Sequence, residues 1–197
     1  MDGDTRETIR AVALELFSDK GFEQTSLREI AERVGLTKAS LYYHYSSKQS
    51  LLLAVVEPVI TGWRTIVDDT ARLEHSPDTV RYVVEQCLDV FLRNRSVAGI
   101  FQRDAAGVAV VLGTLWDDML DLGKRLVAWL AGPSPTPADR LRAIAAMEVL
   151  GAVLSSATYQ DEGEFDEKEM RAVLSEAAMD VLRLAAEPRA SGMRKLG

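Results

Sequence analysis

The stretch GLTKASLYYHYSSK, residues 35–48, gathers lysines, a histidine, tyrosines and several hydroxyls, and residues 33–56 contain no acid at all. The chain as a whole is acidic, with a formal charge of −7 over 197 residues. Cationic and hydroxyl donors without competing carboxylates are the chemistry that holds phosphate oxygens. Arg33, Lys38, His44 and Lys48 supply the positive balance. Thr37, Ser40, Tyr43, Ser46, Ser47 and Lys48 cluster at two expected helix N-termini, where free N–H groups and the helix dipole attract anions. An acidic chain with one such patch is suited to meeting a polyanion there and not over its whole surface.

Catalytic patterns are missing. The two histidines, His44 and His75, are far apart, and no H-E-x-x-H, glycine-rich phosphate loop or G-x-S-x-G occurs. The acids of EGEFDEKEM lack the alternating ligand spacing of a calcium loop. No catalytic residue, metal or cofactor is therefore assigned, and a non-enzyme is expected. Cys87 is the one cysteine. It falls in the helical stripe Val80, Val84, Cys87, Leu88, Phe91, so it is expected in the core of a protein from a reducing cytoplasm. The N-terminal segment MDGDTRETIR has no apolar signal region. The runs AAGVAVVLGTLW and AIAAMEVLGAVL are too short to cross a bilayer, which takes about 20 residues. No membrane partner is expected.

The elements that must position the patch are helical, and strand signals are weak. The expectation is an all-α chain of about nine helices. Ile9, Ala13, Leu16 and Phe17 form the stripe of a first helix stopped at Lys20-Gly21. Ser26 with Glu29 opens a second, with Leu27, Ile30, Ala31 and Val34 on its apolar face. Thr37 caps a short third helix ending near His44. Ser46 with Gln49 opens a fourth, which Pro58 should bend or break. Ser76-Pro77 and Thr136-Pro137 mark later starts, Gly99 and Gly107 interrupt the helical sequence between 96 and 132, and Asp166 with Glu169 opens a last helix to about 187. Only GLT joins the second helix to the third. Glycine at that turn accepts positive φ, and small Ala31 lets the two helices cross closely. That is a helix-turn-helix, whose second helix lies in a DNA major groove.

The segment from Thr5 to Val55 resembles the N-terminal domain of the tetracycline-repressor (TetR) family of bacterial transcriptional regulators. The shared pattern is filled here by Ala13, Leu16, Phe17, Gly21, Phe22, Thr25, Ser26, Ile30, Ala31, Gly35, Leu36, Leu41, Tyr42, His44, Tyr45 and Lys48. Tyr45 stands where phenylalanine is usual. The resemblance implies phosphate contacts by Thr25, Tyr43 and Lys48. Lys38, Ala39 and Ser40, behind the cap Thr37, stand at the front of the recognition helix within reach of base edges. Tyr42 and His44 can reach backbone or base, and Ser26 and Thr37 cap the two helices.

For the rest of the chain the resemblance is architectural and implies a helical bundle that binds an inducer and forms a homodimer through its last two helices. The expected domains are 1–50 for DNA binding, 51–187 for ligand and dimerisation, and 188–197 as a disordered tail. Large residues at helical spacing suggest a pocket: Trp63, Phe91, Phe101, Trp116, Met119 and Tyr159, with Arg103 as a polar candidate. The dimer face is expected to include Leu141, Ile144, Glu148, Gly151 and Leu154, then Leu174, Ala177, Val181 and Leu184. The reading at this point is a repressor of a palindromic operator on double-stranded DNA, released by a small-molecule inducer. An activator of the same fold, and more remotely a helical enzyme or adaptor, stay open. Nothing in the sequence identifies the inducer.

Overall fold

A computed structural model describes residues 2–159 and 166–183, with the side chains of 2, 3, 102, 104 and 153–159 outside that description. The described residues form nine helices: α1 (Asp2–Lys20), α2 (Leu27–Val34), α3 (Lys38–His44), α4 (Lys48–Thr70), α5 (Pro77–Arg93), α6 (Arg95–Leu112), α7 (Thr114–Leu130), α8 (Pro137–Tyr159) and α9 (Glu167–Arg183). The expected tail, 188–197, lies outside the described residues.

Helices α1 to α3 close around Ile9, Ala13, Leu16, Phe17, Phe22, Ile30, Leu41 and Tyr45, all buried. Phe17 and Phe22 meet edge to face at 5.3 Å, and the Tyr45 hydroxyl donates to the Arg6 carbonyl at 3.2 Å. The departure from the usual phenylalanine is thus absorbed by a hydrogen bond. Helix α4 opens one residue later than its sequence pattern suggests. Ser47 is the cap, and Ser47 and Ser50 exchange side-chain and backbone hydrogen bonds at 3.0 Å.

Pro58 does not break α4. It lies on the exposed side, so the Ala54 carbonyl that loses its partner can turn to water. Buried Leu51, Leu52, Val55, Val56, Ile60, Ile66 and Val67 hold the helix on both sides of it. Helix α4 is the one described helix long and apolar enough to cross a bilayer, but those same side chains are spent on the core. The 50/51 boundary falls inside α4, which belongs to both parts.

Gly99 and Gly107 do not interrupt α6 either; the chain breaks at Gly113, where φ is +54°. A helical glycine costs about 1 kcal/mol relative to alanine, and α6 offsets it by burying Val97, Ala98, Ile100, Val108 and Leu112. At Gly99 a side chain is sterically unwelcome. A Cβ there would lie 2.1 Å from Ser18 Oγ, because α6 runs close against α1.

Cys87 is fully buried on α5, and burial pushes its thiol up to about 12. Since the thiolate is the reactive form, Cys87 should resist a thiol reagent at pH 8 until the protein unfolds. Prompt stoichiometric labelling of the native chain would refute that placement.

Candidate nucleic-acid interface and central cavity

The turn between α2 and α3 is made by backbone chemistry. Gly35 adopts φ +78°, its N–H donates to the Glu32 carbonyl at 3.2 Å, and the Leu36 N–H donates to the Ala31 carbonyl at 2.8 Å. This double bond pattern ends α2 and turns the chain sharply into α3. Ser26 Oγ accepts from the Glu29 N–H at 3.1 Å, and Thr37 Oγ1 accepts from the Ser40 N–H at 3.1 Å. Each cap uses its oxygen as acceptor, so its own hydroxyl proton stays available to a ligand.

With Leu41 and Tyr45 turned into the core, the helical period sets what α3 shows outward. Ala39 and Tyr43 form the outermost stripe, and Tyr43 is 79% exposed. Lys38 and Tyr42 share one flank, the ammonium 5.7 Å from the centre of the Tyr42 ring, which is 43% exposed. Ser40 and His44 share the other flank, and His44 meets the Tyr43 ring edge to face at 5.3 Å. Lys38, Ala39, Ser40, Tyr42, Tyr43 and His44 therefore come together on one projecting surface.

Two expected contacts, Thr25 and Lys48, and one further cation of the patch, Arg33, have other work in this structure. The Thr25 side chain is 1% exposed, and its hydroxyl is held by the Gly21 carbonyl at 2.9 Å and the Leu16 carbonyl at 3.2 Å. It closes the α1–α2 turn and has no donor left for phosphate. Arg33 pairs with Glu15 at 3.2 Å. The Lys48 ammonium donates to the carbonyls of Phe22 at 2.9 Å and Glu23 at 3.2 Å, and sits 4.3 Å from the centre of the Phe22 ring. Lys48 thus ties the N-terminus of α4 to the α1–α2 turn. Beside that turn, Lys20 pairs with Glu29 and holds its carboxyl below the ordinary value through their hydrogen bond.

Lys48→Met keeps the aliphatic stem and removes the tether. It should lower stability by about 1.5–3 kcal/mol, the usual range for hydrogen bonds to a charged group. It should weaken all DNA alike while leaving the salt dependence of binding unchanged. A salt slope reduced by about one would instead mean that Lys48 neutralises a phosphate.

Farther along, Val59, Trp63, Val90, Phe91, Asn94, Val97, Ala98, Phe101 and Met119 line a partly open cavity of about 140 Å³ between α4, α5, α6 and α7. Four of the expected pocket residues meet there: Trp63, Phe91, Phe101 and Met119. Trp116 stands outside the lining and packs against Phe101, ring centres 5.8 Å apart. Arg103 is not in the pocket. Its Nε donates to the Ser18 carbonyl at 2.6 Å, placing a cation at the negative end of α1. The side chain of Tyr159 lies outside the described residues.

On α8, Leu141 is 67% and Ile144 47% exposed, and Glu148 is exposed beside them. Gly151 is half-buried, with its position for a Cβ 4.0 Å from the Phe91 ring of the same protomer. On α9, Leu174 and Val181 pack half-buried on the core and Ala177 is half-buried, while Val173, absent from the expected stripe, is 58% exposed. The Leu154 side chain and Leu184 lie outside the described residues.

Residues 9–55 match the family described as bacterial regulatory proteins, tetR family. The transcriptional regulator RutR of Escherichia coli K12 is 28% identical over 131 residues, which cover 64% of this chain and 60% of that relative. The class C tetracycline repressor protein of Escherichia coli is 41% identical over 56 residues, 28% of this chain and 26% of that one. A transcriptional regulator from Aquifex aeolicus VF5 has the same fold, with a TM-score of 0.68 at 24% identity over 91% of this chain and 98% of that one. The sequence matches thus span less than two thirds of these curated relatives. Residues 9–55, which carry the helix-turn-helix, thus match the tetR family of bacterial regulatory proteins, and the chain as a whole shares its fold with the Aquifex aeolicus regulator.

Proposed function

We propose that this protein is a cytoplasmic transcriptional repressor that binds a palindromic DNA operator as a homodimer and leaves it when a small molecule occupies the central cavity. The observation that carries the reading is the projecting face of α3. Lys38, Ser40, Tyr42, Tyr43 and His44 stand together on a seven-residue helix with no acid. That helix is too short to specify a site alone, so a two-fold pair is the natural reader of half-sites roughly 34–36 Å apart. Tyr43 and the N-termini of α2 and α4 meet phosphates, while Lys38, Ala39 and Ser40 face base edges. Exposed Leu141, Ile144 and Val173 support a dimer face on α8 and α9.

The 140 Å³ cavity is favoured as the effector site because of what lines it. Both α4 and α6 contribute walls, and both reach the DNA-binding helices: α4 through Lys48, α6 through Gly99 and Arg103 against Ser18. A larger cavity of about 460 Å³, near His75, Gly132 and Arg142, is lined by neither α4 nor α6 and offers no comparable route. A ligand shifts DNA affinity only by its own preference between two states, typically 1–3 kcal/mol.

Selection of random duplexes on the purified protein tests the reading. An enriched two-fold symmetric site supports it; pools that stay unenriched overturn it. Tyr43→Phe should then cost about 0.5–1.5 kcal/mol of operator binding, the value of one hydroxyl hydrogen bond, read by fluorescence anisotropy. An unchanged affinity would remove Tyr43 from the phosphate contacts.

A further inference from the structure

Two side chains lining the central cavity carry hydrogen-bonding groups, Trp63 through its indole N–H and Asn94 through its amide. Asn94 stands where α5 ends and α6 begins, and its Nδ2 donates to the Val90 carbonyl at 2.7 Å. Its Oδ1 is therefore the group left over. That oxygen does not cap α6, which has no side-chain cap hydrogen bond, and it has no partner among the described residues. Apart from the Trp63 indole N–H, every other lining side chain is apolar, and none is charged.

Size and walls narrow the ligand further. An apolar cavity of about 150 Å³ in another protein takes up one benzene molecule, so a space of about 140 Å³ admits one ring and no long chain. Trp63 and Phe91 meet at 5.0 Å with planes 72° apart, a geometry in which a third ring finds further edge-to-face partners. A carboxylate or ammonium brought here would lose part of its hydration and meet no opposite charge, which is unfavourable. A plain hydrocarbon would offer the half-buried Asn94 oxygen no donor.

We propose that the cavity selects an uncharged single-ring aromatic molecule with one hydrogen-bond donor, the ring among Trp63, Phe91 and Phe101 and the donor on Asn94 Oδ1. The inference rests on reading this cavity as the effector site, and it specifies the chemical class that the site accepts.

Calorimetric titration of the full chain at pH 7 with phenol, toluene, anisole and benzoate tests it. Phenol should bind saturably, toluene and anisole roughly three- to tenfold more weakly for want of the donor, and benzoate not at all in the range that saturates phenol. Asn94→Ala should erase the advantage of phenol over toluene. Since Asn94 also bonds Val90 at the helix junction, the phenol–anisole pair makes the same comparison on the unaltered protein. Benzoate binding as well as phenol, anisole equal to phenol, or no saturable binding of any probe overturns the proposal. A gel shift with phenol added separates it from the regulator reading. Phenol bound with operator still held keeps the ligand class and removes the effector role. Operator release by benzoate but not phenol keeps the effector role and overturns the class.

Discussion

Glutamate at both Leu141 and Ile144 will leave a folded protein that sediments as a monomer and binds operator at least roughly a hundredfold more weakly. The two side chains are 67% and 47% exposed in the protomer, three residues apart on one face of α8. Their replacement leaves the inward face of the helix, Ala143, Ala146 and Leu150, undisturbed. In a two-fold dimer the same residues meet themselves or their neighbours, so four carboxylates would be buried near one another without partners. A monomer then places a single α3 on DNA and forfeits the avidity of the second half-site, which is worth roughly 10²–10⁴. Sedimentation at micromolar concentration and anisotropy with an operator duplex read the two effects. A variant that stays dimeric and binds normally would show that the partner copy docks elsewhere.

Gly99→Leu should be the most disruptive single change to communication within the chain. The ideal Cβ at Gly99 lies 2.1 Å from Ser18 Oγ and 3.2 Å from Ser18 Cβ. For alanine the Ser18 hydroxyl can swing away and only the 3.2 Å contact with Ser18 Cβ remains, so Gly99→Ala should cost less than leucine. Leucine has no such escape and must push α1 off α6, with an overpacking cost of about 1–3 kcal/mol. It should also open the Arg103–Ser18 hydrogen bond, which spans the same contact. Urea unfolding measures the first effect. The second appears as ligand that still binds the cavity but no longer changes operator affinity. Unaltered ligand-dependent release in Gly99→Leu would move the coupling wholly onto α4.

The parts of this architecture that were legible in the sequence are those encoded by neighbours along the chain. Ser26, Thr37, Ser76 and Thr136 mark helix starts with oxygens that bond the backbone within three residues, and each start is found. Gly35 marks the tight turn for the same local reason. The face of α3 follows from its period once Leu41 and Tyr45 are assigned inward. Contacts between distant residues had no such signature. Lys48 reaches back to Phe22 and Glu23, and Arg103 reaches Ser18, although local sequence marks each only as a cation. Thr25 looks like an exposed hydroxyl before a helix, but the turn folds it under α1. Pro58, Gly99 and Gly107 have weak helix propensity, and their helices continue because apolar side chains around them are buried. On α9, the periodic stripe that looked like an interface is partly the side facing its own core, which leaves Val173 as the exposed large apolar residue among the described residues of that helix.

Sequence-specific DNA binding by α3 is the claim on which the rest depends. Anisotropy titration of the intact protein against a selected symmetric duplex and a scrambled duplex of equal length, both at about 150 mM salt, measures it directly. The account predicts a ratio of affinities of at least roughly 10³, as specific readers show over non-specific binding. It further predicts that the ratio collapses when Lys38 and Ser40 are replaced by alanine, while the scrambled duplex is held almost as before. Equal affinity for the two duplexes, or a ratio untouched by those substitutions, would contradict it.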